Sequence, residues 1–406
     1  MFWSRSFCLL TTGGSPIEMV KASIENQRDE VRGFAMAKLN KAYKFRLYPT
    51  DEQALFIRQT FGCVRFVYNK MLAERKETYE NLKDDKEALK KTKHPTPAKY
   101  KKEFVWLKDI DALALANAQL NLNKAYKAFF ENKAKFPKFK SKRHKQSYTT
   151  NVVNGNIQLF DGHIKLPKLK TVKMKQHREI PSGHIIKSCT ISMTPSGKYY
   201  ISILTEYEKE IKNKEIEDVI GLDFAMNGLF VDSETGKKAN YPRFYRQMLE
   251  KLASEQRKLS RKKKDSSNWN KQRVKVSKIQ EKVANQRKNF LHHQSKALAV
   301  SFDAIIIEDL DMKGMSQALK FGKSVADNGW GMFTSFLHYK LKEQGKQLIK
   351  INKWFPSTKT CSSCGSMREM SLSERTYQCD CGLNLDRDHN AALNIKKEGL
   401  RLLAIP

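Results

Sequence analysis

The stretch Ile220-Gly221-Leu222-Asp223-Phe224-Ala225-Met226-Asn227-Gly228-Leu229-Phe230-Val231-Asp232 constrains the fold more than any other part of the chain. An apolar run delivers one acid, a Gly-bearing turn follows, and a second apolar run begins at once. This predicts a β-hairpin with Asp223 near its bend. A lone strand-end Asp is ordinarily a solvated edge residue, but two distant stretches alter that reading. Ala304-Ile305-Ile306-Ile307-Glu308-Asp309-Leu310 reads as another buried strand ending in acid, and Asp386-Arg387-Asp388-His389-Asn390-Ala391-Ala392-Leu393-Asn394-Ile395 sets acids at the mouth of a helix. Three carboxylates from distant parts of one chain are the oxygen-ligand set that a two-cation phosphoryl-transfer site needs, with Mg²⁺ or Mn²⁺ as the ions.

A chain of 406 residues can bury a large core divided among two or three domains. Its 76 Lys and Arg stand against 43 acids, a net charge of +33. Such an excess repels itself unless a polyanion neutralises it, which points to nucleic acid as the partner. Apolar runs are strand-sized, and the patch Phe7-Cys8-Leu9-Leu10 is too brief for a secretory signal, so no membrane role and a cytoplasmic location (bacterial cytoplasm or nucleoid) are expected. In that compartment the seven cysteines should be thiols or metal ligands.

Residues 1–35, with four basic and four acidic residues, differ from the basic sequence that follows and read as a disordered leader. Lys41–Pro49 alternates apolar and basic residues, as a strand with one wet face does. Thr50-Asp51-Glu52-Gln53 then starts a helix running to about Arg75, and a second helix is expected over about 111–133. Between Lys133 and Lys145 lie seven Lys/Arg and no acid, with Phe136 and Phe139 interleaved. Lys138, Lys140, Lys142, Arg143 and Lys145 are therefore candidates for a groove that tracks a nucleic-acid backbone. Short strands over 146–205 predict a small barrel or sandwich that the opening strand joins, making the helices an insertion. Residues 206–217 read as a charged linker. A helical pair over 244–297, broken near Asp265–Asn268, carries Arg257, Arg261, Lys262, Lys263 and Lys264 as further candidates for gripping phosphates. A glycine-bearing loop around Gly329-Trp330-Gly331, an amphipathic helix, a strand over 347–355 and a final helix complete a mixed α/β layer compatible with a ribonuclease-H-like core.

Cys361-Ser362-Ser363-Cys364 and Cys379-Asp380-Cys381 put four cysteines in 21 residues, each pair followed by glycine. Four thiolates gathered by two tight turns make a tetrahedral Zn²⁺ site, structural because no coordination position is left open.

These stretches together resemble the TnpB (OrfB) proteins of insertion sequences and, more distantly, the miniature type V CRISPR effectors. The likeness rests on Tyr43-Lys44-Phe45-Arg46-Leu47-Tyr48-Pro49, Gly62–Asn69, Gly221-Leu222-Asp223, Ile307-Glu308-Asp309-Leu310, Lys353–Gly365 and Asp386–Ile395, in that order. It implies a RuvC-like nuclease domain (216–355 and 383–406) interrupted by a zinc ribbon (356–382). A β-barrel wedge domain (36–50 and 134–210) with a helical recognition insertion (51–133) would precede it. It implies a guide RNA from the transposon end that selects double-stranded target DNA by pairing. By position Asp223, Glu308 and Asp388 match the family's catalytic acids, and Cys361, Cys364, Cys379 and Cys381 its zinc ligands. Asp386 is assigned to capping, and Asp309 should point away from Glu308.

The mechanism this predicts has two divalent cations about 4 Å apart on the three acids, with water attacking the scissile phosphorus in line. The competing readings are a DNA transposase or recombinase acting without RNA, a non-cleaving RNA-guided regulator, and a zinc-ribbon transcription factor. Monomer and dimer are equally open.

Overall fold

A computed structural model describes residues 34–143, 145–318, 327–371 and 373–404. The expected leader falls outside them except for Phe34 and Ala35, which already open the first strand. The chain divides into two compact units, Lys38–Lys209 and the residues from Glu210 onward.

In the first unit, β1 (Phe34–Tyr48) buries Tyr43, Phe45 and Leu47 and turns Lys44 and Tyr48 outward, as its alternation predicts. Thr50 and Gln53 form a reciprocal capping box that starts α1 (Asp51–Leu82). This helix outruns its expected end because residues 76–82 contain neither Gly nor Pro. After short helical turns at Lys86–Lys91 and Pro97–Glu103 comes α2 (Ala112–Phe130), capped by Asp111. Its buried Leu115, Ala118 and Leu122 share one core with Ile57, Val64 and Met71 of α1.

Six more strands follow: β2 (Gln146–Asn151), β3 (Gln158–Phe160), β4 (His163–Leu166), β5 (Lys170–Lys175), β6 (Ile185–Met193) and β7 (Tyr199–Lys212). With β1 they make one seven-stranded sheet in the order β2-β6-β7-β1-β5-β4-β3, so the opening strand does join the later ones and the helices are an insertion. The strands lie in one sheet, not in the two of a sandwich. The supposed linker at 206–217 is largely strand: β7 runs to Lys212, with Glu206 paired to Ile185. Ladder pairing there overrides the low strand preference of its charged residues.

The second unit is built on β8 (Val219–Phe224), β9 (Phe230–Asp232), β10 (Ala304–Glu308) and β11 (Gln347–Ile351), in the order β11-β10-β8-β9. The predicted hairpin is present, with Leu222 opposite Asp232 and Asp223 opposite Val231. β10 lies parallel to both neighbours. Side chains alternate between the sheet's faces. Ile220, Leu222, Ile305 and Ile307 pack with Leu291 and Leu298 of α4 (Ser267–Ser301) and Phe333 and Leu337 of α5 (Trp330–Lys342). The basic helix α3 (Leu249–Ser260) pairs with α4 through Gln272, whose amide reaches the Glu255 carbonyl and carboxylate. Trp330 belongs to the helix, not to a loop, and Gly329 caps that helix at φ +76°.

On the other face, Val219, Ala304, Ile306 and Ile351 meet Ile395 of α6 (Arg387–Leu403). Two glycines let this helix sit close. A Cβ at Gly221 would lie under 3.0 Å from the Ala392 carbonyl, and one at Gly399 would strike Ile306. The strand expected to reach Phe355 stops at Ile351, because the Asn352 side chain accepts from Trp354 N at 2.9 Å and turns the chain. A small hairpin, β12 (Thr376–Gln378) and β13 (Asn384–Asp386), leads directly into α6. No helix among the described residues is long and apolar enough to cross a membrane.

Candidate active site and metal centre

Asp223 lies next to the end of β8 in parity with Val219 and Gly221, and Glu308 ends β10 in parity with Ala304 and Ile306. Both acids therefore face α6, and α6 carries Asp388 in its first turn. Asp223 is buried, at 9% exposure. Burial, then the negative charges of Glu308 and Asp388, push its carboxyl well above the usual range, so both other acids bear on Asp223. Burial also raises Glu308, opposed by a hydrogen bond that Ser357 Oγ donates to Glu308 Oε1 at 2.5 Å.

Asp386 is the N-cap of α6, its Oδ1 accepting from Asp388 N at 2.9 Å and His389 N at 3.2 Å. That engages Asp386 with backbone and leaves Asp388 to face the sheet, where Lys238 Nζ lies 3.4 Å from Oδ2 and Arg387 Nη2 3.3 Å from Oδ1. Asp309 points away, exposed and paired with Lys350 at 2.7 Å. Asp232 is occupied by the backbone and hydroxyl of Thr235.

The three acids do not all come within 4.8 Å of one another, whereas the four cysteines do. The three carboxylates offer hard oxygen donors, the kind that Mg²⁺ or Mn²⁺ takes.

Cys361 Sγ and Cys381 Sγ are 3.6 Å apart, as are Cys364 Sγ and Cys379 Sγ, far longer than a disulfide. A tetrahedral zinc with bonds near 2.3 Å sets its sulfurs about 3.8 Å apart. Both turns close onto the first cysteine of their pair: Gly365 N donates to Cys361 O at 3.0 Å and Gly382 N to Cys379 O at 2.9 Å. Each glycine has positive φ, at +79° and +91°. The second loop is one residue shorter and closes with a tighter turn, so Cys-x-Cys presents its thiols as well as Cys-x-x-Cys does. The Ser366 hydroxyl lies 3.1 Å from Cys364 Sγ and 3.2 Å from Cys379 Sγ, and foremost among its causes holds the Cys364 thiol down to about 6.

Of the basic candidates, Lys138, Lys142, Arg143, Lys145, Arg257, Arg261, Lys263 and Lys264 are exposed and Lys262 is half-buried. Lys140 is half-buried. Its ammonium sits 3.9 Å from the Tyr68 ring centroid, its backbone exchanges two hydrogen bonds with the Asn69 side chain, and burial lowers its pKa. It anchors the basic segment to α1.

Sequence reasoning missed the polar groups that hold this site together. Ser357, Asn390 and Asn394 are 4%, 0% and 3% exposed. Asn390 Nδ2 donates to Thr360 O and its Oδ1 accepts from Ser362 N, while Asn394 Nδ2 donates to the Ser357 and Thr360 carbonyls. The available signal was the i, i+4 spacing of two asparagines beside Ala391, Ala392 and Ile395 on an otherwise apolar helix face.

Residues 36–84 match a family described as "Helix-turn-helix domain", 202–319 one described as "Probable transposase", and 330–395 one described as "Cas12f1-like, TNB domain". The first range here holds β1 and a single uninterrupted helix. A Streptomyces pristinaespiralis protein named as a candidate RNA-guided DNA endonuclease is 32% identical, over 90% of this chain and 90% of its own. InsQ of Escherichia coli K12, named in the same way, is 30% identical over 90% and 93%. The fold is also that of Cas12f1 in a solved Cas12f1–sgRNA–target DNA complex, with a TM-score of 0.58 at 12% identity, covering 88% of this chain and 99% of that one.

Proposed function

Because the chain belongs to the TnpB (OrfB) family, we propose that it is an RNA-guided DNA endonuclease of an insertion sequence, cutting phosphodiester bonds at Asp223, Glu308 and Asp388. The observation that carries this reading is the convergence of acids from β8, β10 and α6 on one face of a sheet, in a chain of charge +33. A hairpin feeding parallel strands, with acids at their ends, supports a RuvC-like domain over 216–355 and 383–406. The sheet of the first unit, 36–50 with 134–210, serves as the wedge, and 51–133 as the recognition insertion.

Bound at the acids, two Mg²⁺ or Mn²⁺ ions supply a water nucleophile at neutral pH and stabilise the leaving 3′ oxygen. The protein's own part is positional. β8 and β10 present Asp223 and Glu308 side by side, the Ser357 hydroxyl orients Glu308, and the Asp386 cap frees Asp388 from backbone duty. Lys238 and Arg387 supply positive charge beside Asp388. Cys361, Cys364, Cys379 and Cys381 hold one structural Zn²⁺, which stabilises an element (356–382) with little core of its own. The exposed lysines and arginines hold a guide RNA from the transposon end and double-stranded target DNA by their phosphates.

The deciding experiment purifies the protein from cells carrying its native locus, sequences the bound RNA, and offers DNA matching that RNA with Mg²⁺. A discrete transposon-end RNA and cleavage directed by it support the reading. Guide-free cutting or joining of transposon ends would favour the RNA-independent transposase in its place.

A further inference from the structure

The hydrogen bonds around Ser357 connect parts of the site that the strands alone leave separate. Its hydroxyl donates to Glu308, at the end of β10. Its carbonyl accepts from Asn394 Nδ2 at 2.8 Å, and Asn394 lies on the helix that carries Asp388. The same amide donates to Thr360 O at 2.6 Å, where Asn390 Nδ2 also donates at 2.8 Å. Asn390 Oδ1 then accepts from Ser362 N at 2.9 Å, inside the Cys361–Cys364 turn. One continuous chain thus runs from Glu308 through Ser357 and two asparagines to the cysteine cluster.

Helix packing does not require these groups. An all-apolar face would seat α6 on the sheet equally well, and burying two carboxamides and a hydroxyl is favourable only when they are bonded. Every amide hydrogen bond above ends on the backbone of residues 357–362, so the asparagines fix that segment against α6, and Ser357 transmits its position to Glu308. We infer that Ser357 is a positioning residue: through Asn394 it holds Glu308 at the distance from Asp388 that divalent-cation binding requires. This deepens the nuclease reading above and rests on it for the identity of the ions, though not for the geometry.

The test compares full-length, zinc-loaded protein as wild type, Ser357→Ala and Ser357→Thr, with Asp223→Ala as the background for non-specific ion binding. Mn²⁺ binding is followed by electron paramagnetic resonance, and the Mg²⁺ dependence of guided cleavage is measured separately. Removing a group that orients a metal ligand typically weakens affinity about 10- to 100-fold. Ser357→Ala should therefore bind Mn²⁺ at least about tenfold more weakly and need correspondingly more Mg²⁺ for half-maximal cleavage, with zinc content unchanged and the protein still folded. Ser357→Thr, which restores the hydroxyl, should return most of the affinity. Unchanged Mn²⁺ affinity in Ser357→Ala, or a Thr variant as impaired as the Ala variant, overturns the inference. So does loss of zinc or of the folded state in Ser357→Ala, which would make the residue a fold determinant. A wild type that binds Mn²⁺ at Asp223 yet cuts no DNA defeats the nuclease reading and leaves this one standing.

Discussion

Asp223 and Glu308 leave adjacent parallel strands one step beyond the Leu222–Ile307 pair, so two carboxylates emerge side by side at the same end of the sheet. Glu308 and Asp388 add their negative charge to that of Asp223, and Arg387 offsets part of it. Asp223→Ala should lower guided cleavage by more than about 10²-fold while guide RNA remains bound. A thermal-shift titration checks the cause: Mg²⁺ should raise the melting temperature of the wild type and leave the variant where it is.

The cysteine cluster should hold one zinc per chain, released in step with titration of the four thiols by a mercurial. Cys364→Ser or Cys379→Ser should lose it, and with it protection from proteolysis across 356–382. Elemental analysis and limited digestion read both outcomes.

Asp303, at 1% exposure, accepts from Lys214 Nζ at 2.6 Å and lies 3.5 Å from Lys346 Nζ. The Lys214 hydrogen bond is the main reason its carboxyl falls to about 2. A depressed acid stabilises the fold above its unfolded value near 3.9 and loses that contribution as pH falls through the folded value. Asp303→Asn should therefore cost on the order of 2 kcal/mol near neutrality, and the gap to wild type should close between about pH 4 and pH 2. Denaturant titrations across that range measure it.

Gly221 admits the Ala392 carbonyl where a side chain would collide. Gly221→Ala should destabilise the protein by about 1–3 kcal/mol and push α6, with Asp388, off the sheet. Cleavage should fall while zinc content stays at one per chain.

Replacing Lys138, Lys142, Arg143 and Lys145 together by Ala should weaken guide RNA binding and flatten the slope of log affinity against log salt by up to about 3. Filter binding at several salt concentrations reads the slope, and an unchanged slope would remove this segment from the RNA-contacting surface.

Much of the second unit was legible because its signals are local. Apolar runs ending in Asp223 and Glu308 gave strands, Asp386 gave a helix start, and paired Cys–Gly turns gave the cluster. The misreadings came where pairing outweighs local preference. Glu206, Glu208 and Glu210 look like a linker but lie in β7, which pairs with β6 and β1. The roles of Ser357, Asn390 and Asn394 were not readable, since a hydrogen bond between residues dozens of positions apart leaves no periodic trace.

Residue order alone determined the chemistry on offer: which carboxylates, thiols and cations exist, and which of them end strands or open helices, because alternation, capping and turn preferences act over a few residues. Only the tertiary structure decided which face each acid takes, how closely α6 approaches through Gly221 and Gly399, and that buried amides tie Glu308 to the cysteine turns. Those outcomes depend on the packing of elements far apart in sequence, where a single added methyl group or lost hydrogen bond moves a ligand.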